Sequence, residues 1–141
     1  MRNTTIHEVR FFEATSTLSQ PIADATHQIP AIEFIVAEIT LANGVRGQGY
    51  LLAFHYSREA IRGALRDIAP LVRGFDAAAT GEFIAQAEQG HEYFGHAGVQ
   101  RWAIALINIA MWDAWARSLD APMHRLLGQT RHSVPVYGSG G

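Results

Sequence analysis

The 141-residue sequence contains no cysteine and no lysine, and both absences limit the chemistry that the chain can carry. Without cysteine there is no disulfide and no thiol nucleophile, which fits the cytoplasm, where we expect the protein. All eleven basic residues are arginine. Because arginine stays protonated, it cannot replace a lysine that must lose its proton, so Schiff-base chemistry, a lysine base and a Walker phosphate loop are excluded.

Runs of like charge and an apolar leader are also missing. The net charge is -2, so the sequence does not indicate binding to nucleic acid or to a membrane surface. Residues 1–14 lack the apolar core of a signal peptide. The most apolar stretch contains Asn108, Asp113 and Arg117, and a central Asp or Arg costs about 2.5 to 3.5 kcal/mol in a membrane-spanning helix. We therefore expect this stretch to be a buried helix of a soluble domain.

That stretch organises the rest of the chain. Apolar residues occur on every side of a helical wheel between Trp102 and Leu119, which is typical of a helix surrounded by neighbours. The spacing places on one buried face Ile104, Asn108, Trp112, Trp115 and Leu119. Asn108 is then a buried amide that needs a partner, and Trp112→Ala is expected to cost about 3 to 5 kcal/mol of stability.

Three β-strands precede this helix and predict an antiparallel meander. Their predicted bounds are Thr4–Ala14, Ala31–Leu41 and Val45–Leu52, with Asn43 and Gly44 forming a tight turn between the last two. Gly47 and Gly49 mark a place where another element packs closely. The segment Thr15–Pro30 has no periodicity and predicts a long loop that covers a site or is disordered.

Shorter helices surround the central one. The first is predicted from an N-cap at Ser57 to Ala69, where Pro70 ends it, and the second from a cap at Asp76 to Gly90. A short helix begins at Pro122 and is closed by Gly128. Val134 to Tyr137 then predict a strand that needs a sheet to join, so the fold class is α+β with an orphan strand at the C-terminal end.

The sequence does not support a zinc site, a phosphate-binding loop or a serine nucleophile. His91 and His96 are five residues apart, whereas a zinc-protease helix needs a spacing of four, so we expect a polar loop and no metal site. The glycine-rich residues 138–141 are followed by no helix and no lysine, which favours an exit loop over a phosphate cradle. Ser139 has Tyr137 where a nucleophile elbow requires glycine.

The order of these elements, and above all residues 109–128 (IAMWDAWARSLDAPMHRLLG), resembles the N-terminal capping domain of the mandelate racemase and muconate lactonizing enzyme family of the enolase superfamily. Residues 134–141 (VPVYGSGG) are similar to the first barrel strand of that family. The resemblance implies a capping domain over residues 1–128, with the meander at 4–52 and helices at 57–127. Residues 129–141 would then be a linker and the first strand of a β/α barrel.

The resemblance also implies a division of labour. In the full-length family, which includes racemases and sugar-acid dehydratases, the barrel removes a proton next to a carboxylate and stabilises the enediolate on Mg²⁺. We therefore assign no catalytic residue and no metal ligand to this chain and expect it to be inactive alone. The family's two covering loops map to residues 15–30 and 54–56. The candidate substrate contacts, including two residues near the barrel strand, are His27, Phe54, His55, Tyr56, Tyr137 and Ser139.

A second hypothesis belongs to another class of function. The chain could be a standalone binding or assembly domain derived from such an enzyme, whose former barrel surface now forms a homo-oligomer, because large apolar patches are rarely left open. The expected partners are thus the missing barrel domain or a second copy, with a small carboxylate substrate only if the barrel is present. Reading the encoding DNA past Gly141, and light scattering, distinguish the two hypotheses.

Overall fold

A computed structural model describes residues 3–53, 58–93 and 97–138. The elements, in chain order, are β1 (Ile6–Ala23), β2 (Gln28–Leu41), β3 (Arg46–Leu52), α1 (Arg58–Val72), α2 (Thr80–Gly90), α3 (Gly98–Ser118) and α4 (Met123–Leu126). A three-stranded sheet followed by helices confirms the predicted α+β class. No helix in the described part of the chain is long and apolar enough to cross a membrane.

The sheet is an antiparallel meander with β2 in the centre. Because side chains alternate along a strand, β2 presents Ile35, Ala37 and Ile39 to the helices, and all three are fully buried. The opposite side of β2 carries Phe34 and Val36. We call the side of the sheet that faces the helices the inner face and the other side the outer face.

The prediction of a loop over Thr15–Pro30 is wrong. β1 and β2 remain paired beyond Thr15, which lies opposite Glu33, and end with Ala23 opposite Gln28, with a register shift between Thr17 and Ile22. β3 ends at Leu52, opposite Phe34, so the rest of the pair is a two-stranded ribbon. Its Ser, Thr and Gln residues suggested a loop, but the backbone hydrogen bonds of the hairpin and its β-branched residues hold it extended.

The connection between β2 and β3 falls where it was predicted, but Asn43 and Gly44 do not both adopt a positive φ. The N–H of Leu41 donates to the carbonyl of Val45, and the N–H of Gly44 donates back to the carbonyl of Leu41, both at 2.8 Å. Gly44 has φ +82 while Asn43 has no positive φ. The loop is therefore a three-residue turn with glycine in the left-handed position, and Asn43 contributes its side-chain oxygen to the N–H of Val45 at 3.0 Å.

Two helix boundaries also differ from the prediction. α1 continues through Pro70 to Val72 although Pro70 has no N–H to donate to the carbonyl four residues earlier, and the fully buried Val72 supports these last residues. α2 begins at Thr80, and Asp76 caps the preceding turn by accepting the N–H of Ala78 at 2.9 Å. The end of α2 at Gly90 is confirmed.

The C-terminal segment does not pair with any described strand. Gly128 has φ +78 directly after α4, which confirms that this glycine closes the short helix. Residues 133–138 have no regular secondary structure, so the strand predicted from Val134 to Tyr137 does not form. A strand exists only through hydrogen bonds to a neighbour, and no described strand lies beside this segment.

The central helix is confirmed as α3, but its buried face was predicted wrongly. Its deepest residues are Ala103, Ile104, Leu106, Ile107, Ala110, Met111 and Ala114. Trp112 and Trp115 are half-buried and pack on each other with ring centroids 5.2 Å apart, and Leu119 is 43% exposed beyond the helix end. Asn108 is half-buried and donates to the carbonyl of Thr80 at 3.3 Å. The small residues of α3, rather than its tryptophans, meet the sheet.

The reason lies in the two glycines of β3, where the predicted close packing is confirmed. A Cβ atom on Gly47 would lie 2.6 Å from the Cβ of Ala114, and one on Gly49 would lie 2.8 Å from the carbonyl oxygen of Leu106. The backbones of β3 and α3 are thus in direct contact. Asp113 completes this contact by accepting the N–H of Gln48 at 2.8 Å, which satisfies a donor on the edge strand.

A substitution of Gly47 tests this contact. Gly47→Ala is expected to lower the free energy of unfolding by about 3 kcal/mol or more, because the added methyl group meets the helix backbone rather than a side chain that can move. Gly63→Ala is the matched control, since Gly63 lies inside α1 with open space around it and should stabilise by about 0.5 to 1 kcal/mol. Urea unfolding measures both, and equal effects would contradict the contact.

A pair of adjacent substitutions tests which face of α3 is buried. Met111 is fully buried and Met111→Ala should cost about 2 to 5 kcal/mol. Trp112 is half-buried, so Trp112→Ala should cost less than the 3 to 5 kcal/mol expected from the sequence. Thermal or urea unfolding of the two variants gives the order, and a larger loss for Trp112→Ala would overturn this orientation.

Candidate functional site

The tip of the ribbon is an ordered turn built around Asp24. One carboxylate oxygen of Asp24 accepts the N–H groups of Thr26 and His27, both at 2.7 Å, and the hydroxyl of Thr26 at 3.0 Å. The N–H of Asp24 donates to the carbonyl of His27 at 3.0 Å. The local pattern Asp-Ala-Thr-His favours this turn because a short acidic side chain bonds to backbone two residues on. The tip therefore has a defined conformation that presents His27.

The same bonds set the charge of the tip. The N–H groups of Thr26 and His27, followed by the Thr26 hydroxyl, lower the pKa of Asp24 from 3.8 to about 2. The Nδ1 atom of His27 lies 3.4 Å from the Asp24 carboxylate and 2.7 Å from the Thr26 hydroxyl. Asp24 is thus ionised at any physiological pH, and the candidate residue His27 is held by two side chains of its own turn.

The ribbon is fixed to the body of the domain at Glu33. Ala53, the residue after β3, donates its N–H to the carbonyl of Glu33 at 2.9 Å, and the guanidinium of Arg58, the first residue of α1, lies 3.3 Å from the Glu33 carboxylate. The candidate residues Phe54, His55 and Tyr56 lie between these anchors but outside the described residues. The described residues on either side, Ala53 and Arg58, thus both contact Glu33, where the ribbon leaves the sheet.

An ion-pair cluster strengthens this root. Arg62 of α1 lies 3.0 Å from Glu13 of β1 and 3.0 Å from Glu59, and Arg58 lies 3.5 Å from Glu13. Each of these arginines has a carboxylate partner within the domain, so the cluster fixes the direction of the ribbon relative to α1 rather than offering a free cation for a substrate. Sequence reasoning missed it, although a Glu on the inner face of a strand and two arginines four apart on a helix were available signals.

The two candidates near the C-terminal end differ in what the structure shows. Tyr137 is 89% exposed in the unpaired segment, and the described residues give it no hydrogen-bond partner. Ser139 lies outside the described residues. The structure therefore does not bring Tyr137 into the turn that holds His27.

A metal site is not formed by the described residues, which contain no group of three or more His, Asp or Glu side chains placed to hold an ion. His91 donates from Nδ1 to the carbonyl of Ala87 at 3.0 Å, at the end of α2, and His96 lies outside the described residues. The donor set in this part of the chain does not fit Mg²⁺, so no chemical step is assigned to a metal here.

Known proteins match this chain over nearly all of its length. The model of the mandelate racemase / muconate lactonizing enzyme N-terminal domain matches residues 6–128. The L-talarate/galactarate dehydratase of Salmonella typhimurium is 29% identical over 96% of this chain and 36% of that enzyme. The o-succinylbenzoate synthase of Listeria innocua is 24% identical over 92% of this chain and 34% of that enzyme. The chain thus spans about a third of the length of these relatives.

Solved structures agree with the sequence matches. A mandelate racemase/muconate lactonizing enzyme-like protein from Rubrobacter xylanophilus matches with a TM-score of 0.83 and 27% identity over 97% of this chain and 37% of that one. L-Talarate dehydratase from a Polaromonas species, complexed with Mg and L-glucarate, matches with a TM-score of 0.82 and 26% identity over 92% and 36% of the two chains. The chain belongs to the mandelate racemase / muconate lactonizing enzyme family, whose N-terminal domain it forms.

Proposed function

We propose that this chain is the capping domain of a sugar-acid dehydratase or racemase and shapes the choice of substrate without carrying the chemistry. The observation that supports this proposal is the ribbon, which is anchored to α1 by ion pairs and ends in an ordered turn that presents His27. A ribbon with an ordered tip is suited to covering a site formed by another domain. Few of its residues lose conformational freedom on binding, so the entropy cost is small.

The substrate class follows from the relatives as a proposal. The relatives named above include dehydratases of L-talarate and galactarate, and one of their structures holds Mg and L-glucarate. We infer a small sugar acid as the substrate and a further barrel domain as the source of the acids, bases and Mg²⁺ ligands. The cytoplasmic location predicted from the sequence stays a prediction.

A domain exchange tests the capping role. Residues 1–128 replace the corresponding N-terminal part of the Salmonella typhimurium dehydratase, and Mg²⁺-dependent dehydration of galactarate is followed by mass spectrometry. We expect the chimera to turn over, and His27→Ala in it to raise KM by about 3- to 10-fold with a smaller effect on kcat, as for a residue that contributes substrate binding. The 141-residue chain alone should show no turnover.

The control for His27 is Tyr93→Ala. Tyr93 is highly exposed and follows α2, which packs on α1 and α3, so its removal should leave KM unchanged. Equal kinetic constants for the two variants would contradict a substrate-facing role for His27. Turnover by the isolated 141-residue chain would contradict the division of labour itself.

The order of the tip should depend on pH in a defined direction. Since the folded pKa of Asp24 lies below its ordinary value, the turn is stabilised fully above pH 4 and loses this stabilisation as the pH falls from about 4 to about 2. NMR titration of the Thr26 and His27 amide shifts measures this, with Asp24→Asn as the control that removes the step. A midpoint near 4 in the parent chain would contradict the hydrogen-bonded turn.

A standalone assembly domain is the second candidate, and the observation that favours it is the apolar outer face of the sheet, which no described element covers. Reading the encoding DNA past codon 141 separates the two functions. A continuing frame with the carboxylates and lysines of a barrel supports the capping domain, whereas a stop codon supports the assembly domain.

A further inference from the structure

The outer face of the sheet has an apolar half and a charged half. Cross-strand pairing aligns its side chains in rows, each with one residue from β1, β2 and β3 in turn. The two apolar rows are Phe12, Val36, Tyr50 and Ala14, Phe34, Leu52, and the two polar rows are Arg10, Glu38, Gln48 and Glu8, Thr40, Arg46. The helices contact the inner face, so the described part of the chain leaves this surface open.

The apolar half is too exposed to be part of the domain's own core. Phe12 is 44% exposed, Tyr50 is 65% exposed and Leu52 is 46% exposed. The rings of Phe34 and Tyr50 meet edge to face with centroids 5.6 Å apart, so the aromatic groups form one contiguous surface. Contiguous apolar surface of this kind marks an interaction site.

One row of the charged half favours a second copy of the chain as the partner, because it carries Glu8 on β1 and Arg46 on β3. β2 is the central strand, so a two-fold axis parallel to β2 would place β1 of one copy over β3 of the other, row on row. Glu8 then faces Arg46 of the second copy, and Arg46 faces Glu8. An isologous interface requires this reciprocity.

The same two-fold rotation also brings side chains of complementary size together in the apolar half. Phe12 meets Tyr50 of the second copy, and the small Ala14 meets the larger Leu52, while Val36 and Phe34 meet their own counterparts near the axis. Glu38 also meets its own counterpart near the axis, and its carboxylate is neutralised within its own chain by Gln48 at 2.8 Å and Arg46 at 3.9 Å. Two sheets packed with nearly aligned strands form a familiar sandwich.

From this register we propose that two copies of the chain pair through their outer faces about a two-fold axis parallel to β2. A two-fold axis perpendicular to the strands is disfavoured. If it passes through the centre of the face, it places the charged half of one copy on the apolar half of the other, and if it passes through the apolar half, it leaves the charged half outside the contact. Burying Arg10 and Glu38 under apolar rings would leave their charges poorly paired. The inference concerns this face alone, and either a capping domain or a standalone domain can pair through it.

The size of the face sets the expected affinity. β3 has 7 residues, which at about 3.3 Å each gives a face roughly 23 Å long, and three strands about 4.8 Å apart make it roughly 15 Å wide. Such a face covers roughly 350 Å² per copy, less than half of the about 800 Å² per partner that stable interfaces bury, so we expect only a weak dimer with a Kd of about 10 to 100 µM. Sedimentation equilibrium of the 141-residue chain measures the association. Concentrations from about 10 to about 500 µM bracket the expected Kd.

Charge reversal provides the sharpest test, because it separates this interface from any other. Glu8→Arg alone creates two Arg–Arg contacts in a dimer, and Arg46→Glu alone creates two Glu–Glu contacts, so each variant should have a Kd at least about tenfold weaker. A mixture of the two variants restores both opposite-charge contacts. Native mass spectrometry, which separates the three dimers by mass, should show the mixed dimer in excess over both homodimers.

Two further variants control the test. Tyr50→Glu places a charge in the apolar half and should abolish association, whereas Tyr93→Glu, at an exposed tyrosine after α2 that is not part of the outer face, should leave it unchanged. Circular dichroism and the unfolding midpoint establish that each variant is folded. Comparison at equal stability ensures that lost association reflects the interface.

Each result decides the proposal. A parent dimer, weak single variants and a preferred mixed dimer establish it. A parent chain that stays monomeric at 500 µM overturns it and leaves the face for another domain of a longer polypeptide. A dimer unaffected by Tyr50→Glu or by the charge reversals also overturns it, since another surface then forms the contact. None of these outcomes changes the turnover assay of the chimera, so the proposed function stands or fails separately.

Discussion

Gly47 and Gly49 let the backbone of α3 rest on β3 with no side chain between them. This approach requires small residues on the facing side of the helix, and Ala110 and Ala114 provide it. Residues of an α-helix have a fixed angular spacing. The contact through the alanines therefore fixes the rotation of α3 and with it the direction of each of its other side chains. Asp113 then reaches the N–H of Gln48 and pairs with Arg117 at 2.8 Å on its own helix.

The helices consequently cover only one side of the sheet. Ile35, Ala37 and Ile39 on the inner face of β2 are buried, whereas the outer face and the ribbon beyond β3 remain accessible. A two-stranded hairpin by itself is at best marginally stable in water, and the ion pairs of Glu13 and Glu33 with α1 anchor the root of this one. The parts of the domain available to partners are thus those that the α3–β3 contact does not use.

Local sequence signals predicted the elements better than their extents. The meander, the helix from Gly98 to Ser118 and its close approach to the β3 glycines agree with the structure. The ribbon between Thr15 and Pro30 was predicted as a loop because polar residues and two prolines hide its extended pairing. Pairing between distant residues is not visible in a window of sequence, and edge or two-stranded segments lack the buried alternation that marks a strand.

The candidate site shows the same division. His27 was singled out as a covering-loop residue, and the structure places it in a turn whose geometry depends on Asp24. The root of the arm was not foreseen, since Glu13 and Arg62 are far apart in the chain and only the packing of α1 on β1 brings them to 3.0 Å. A charge on the inner face of a strand indicates that a partner is needed but not which residue provides it.

By itself the sequence determined the α+β class, the family resemblance and the absence of thiol and lysine chemistry, because composition and short-range periodicity are properties of the chain alone. The tertiary structure decided which side of α3 is buried, that the polar segment after β1 is an arm, and which rows of side chains remain open on the outer face. These outcomes depend on how closely two backbones approach and on strand register, and both are set by contacts between residues distant in sequence.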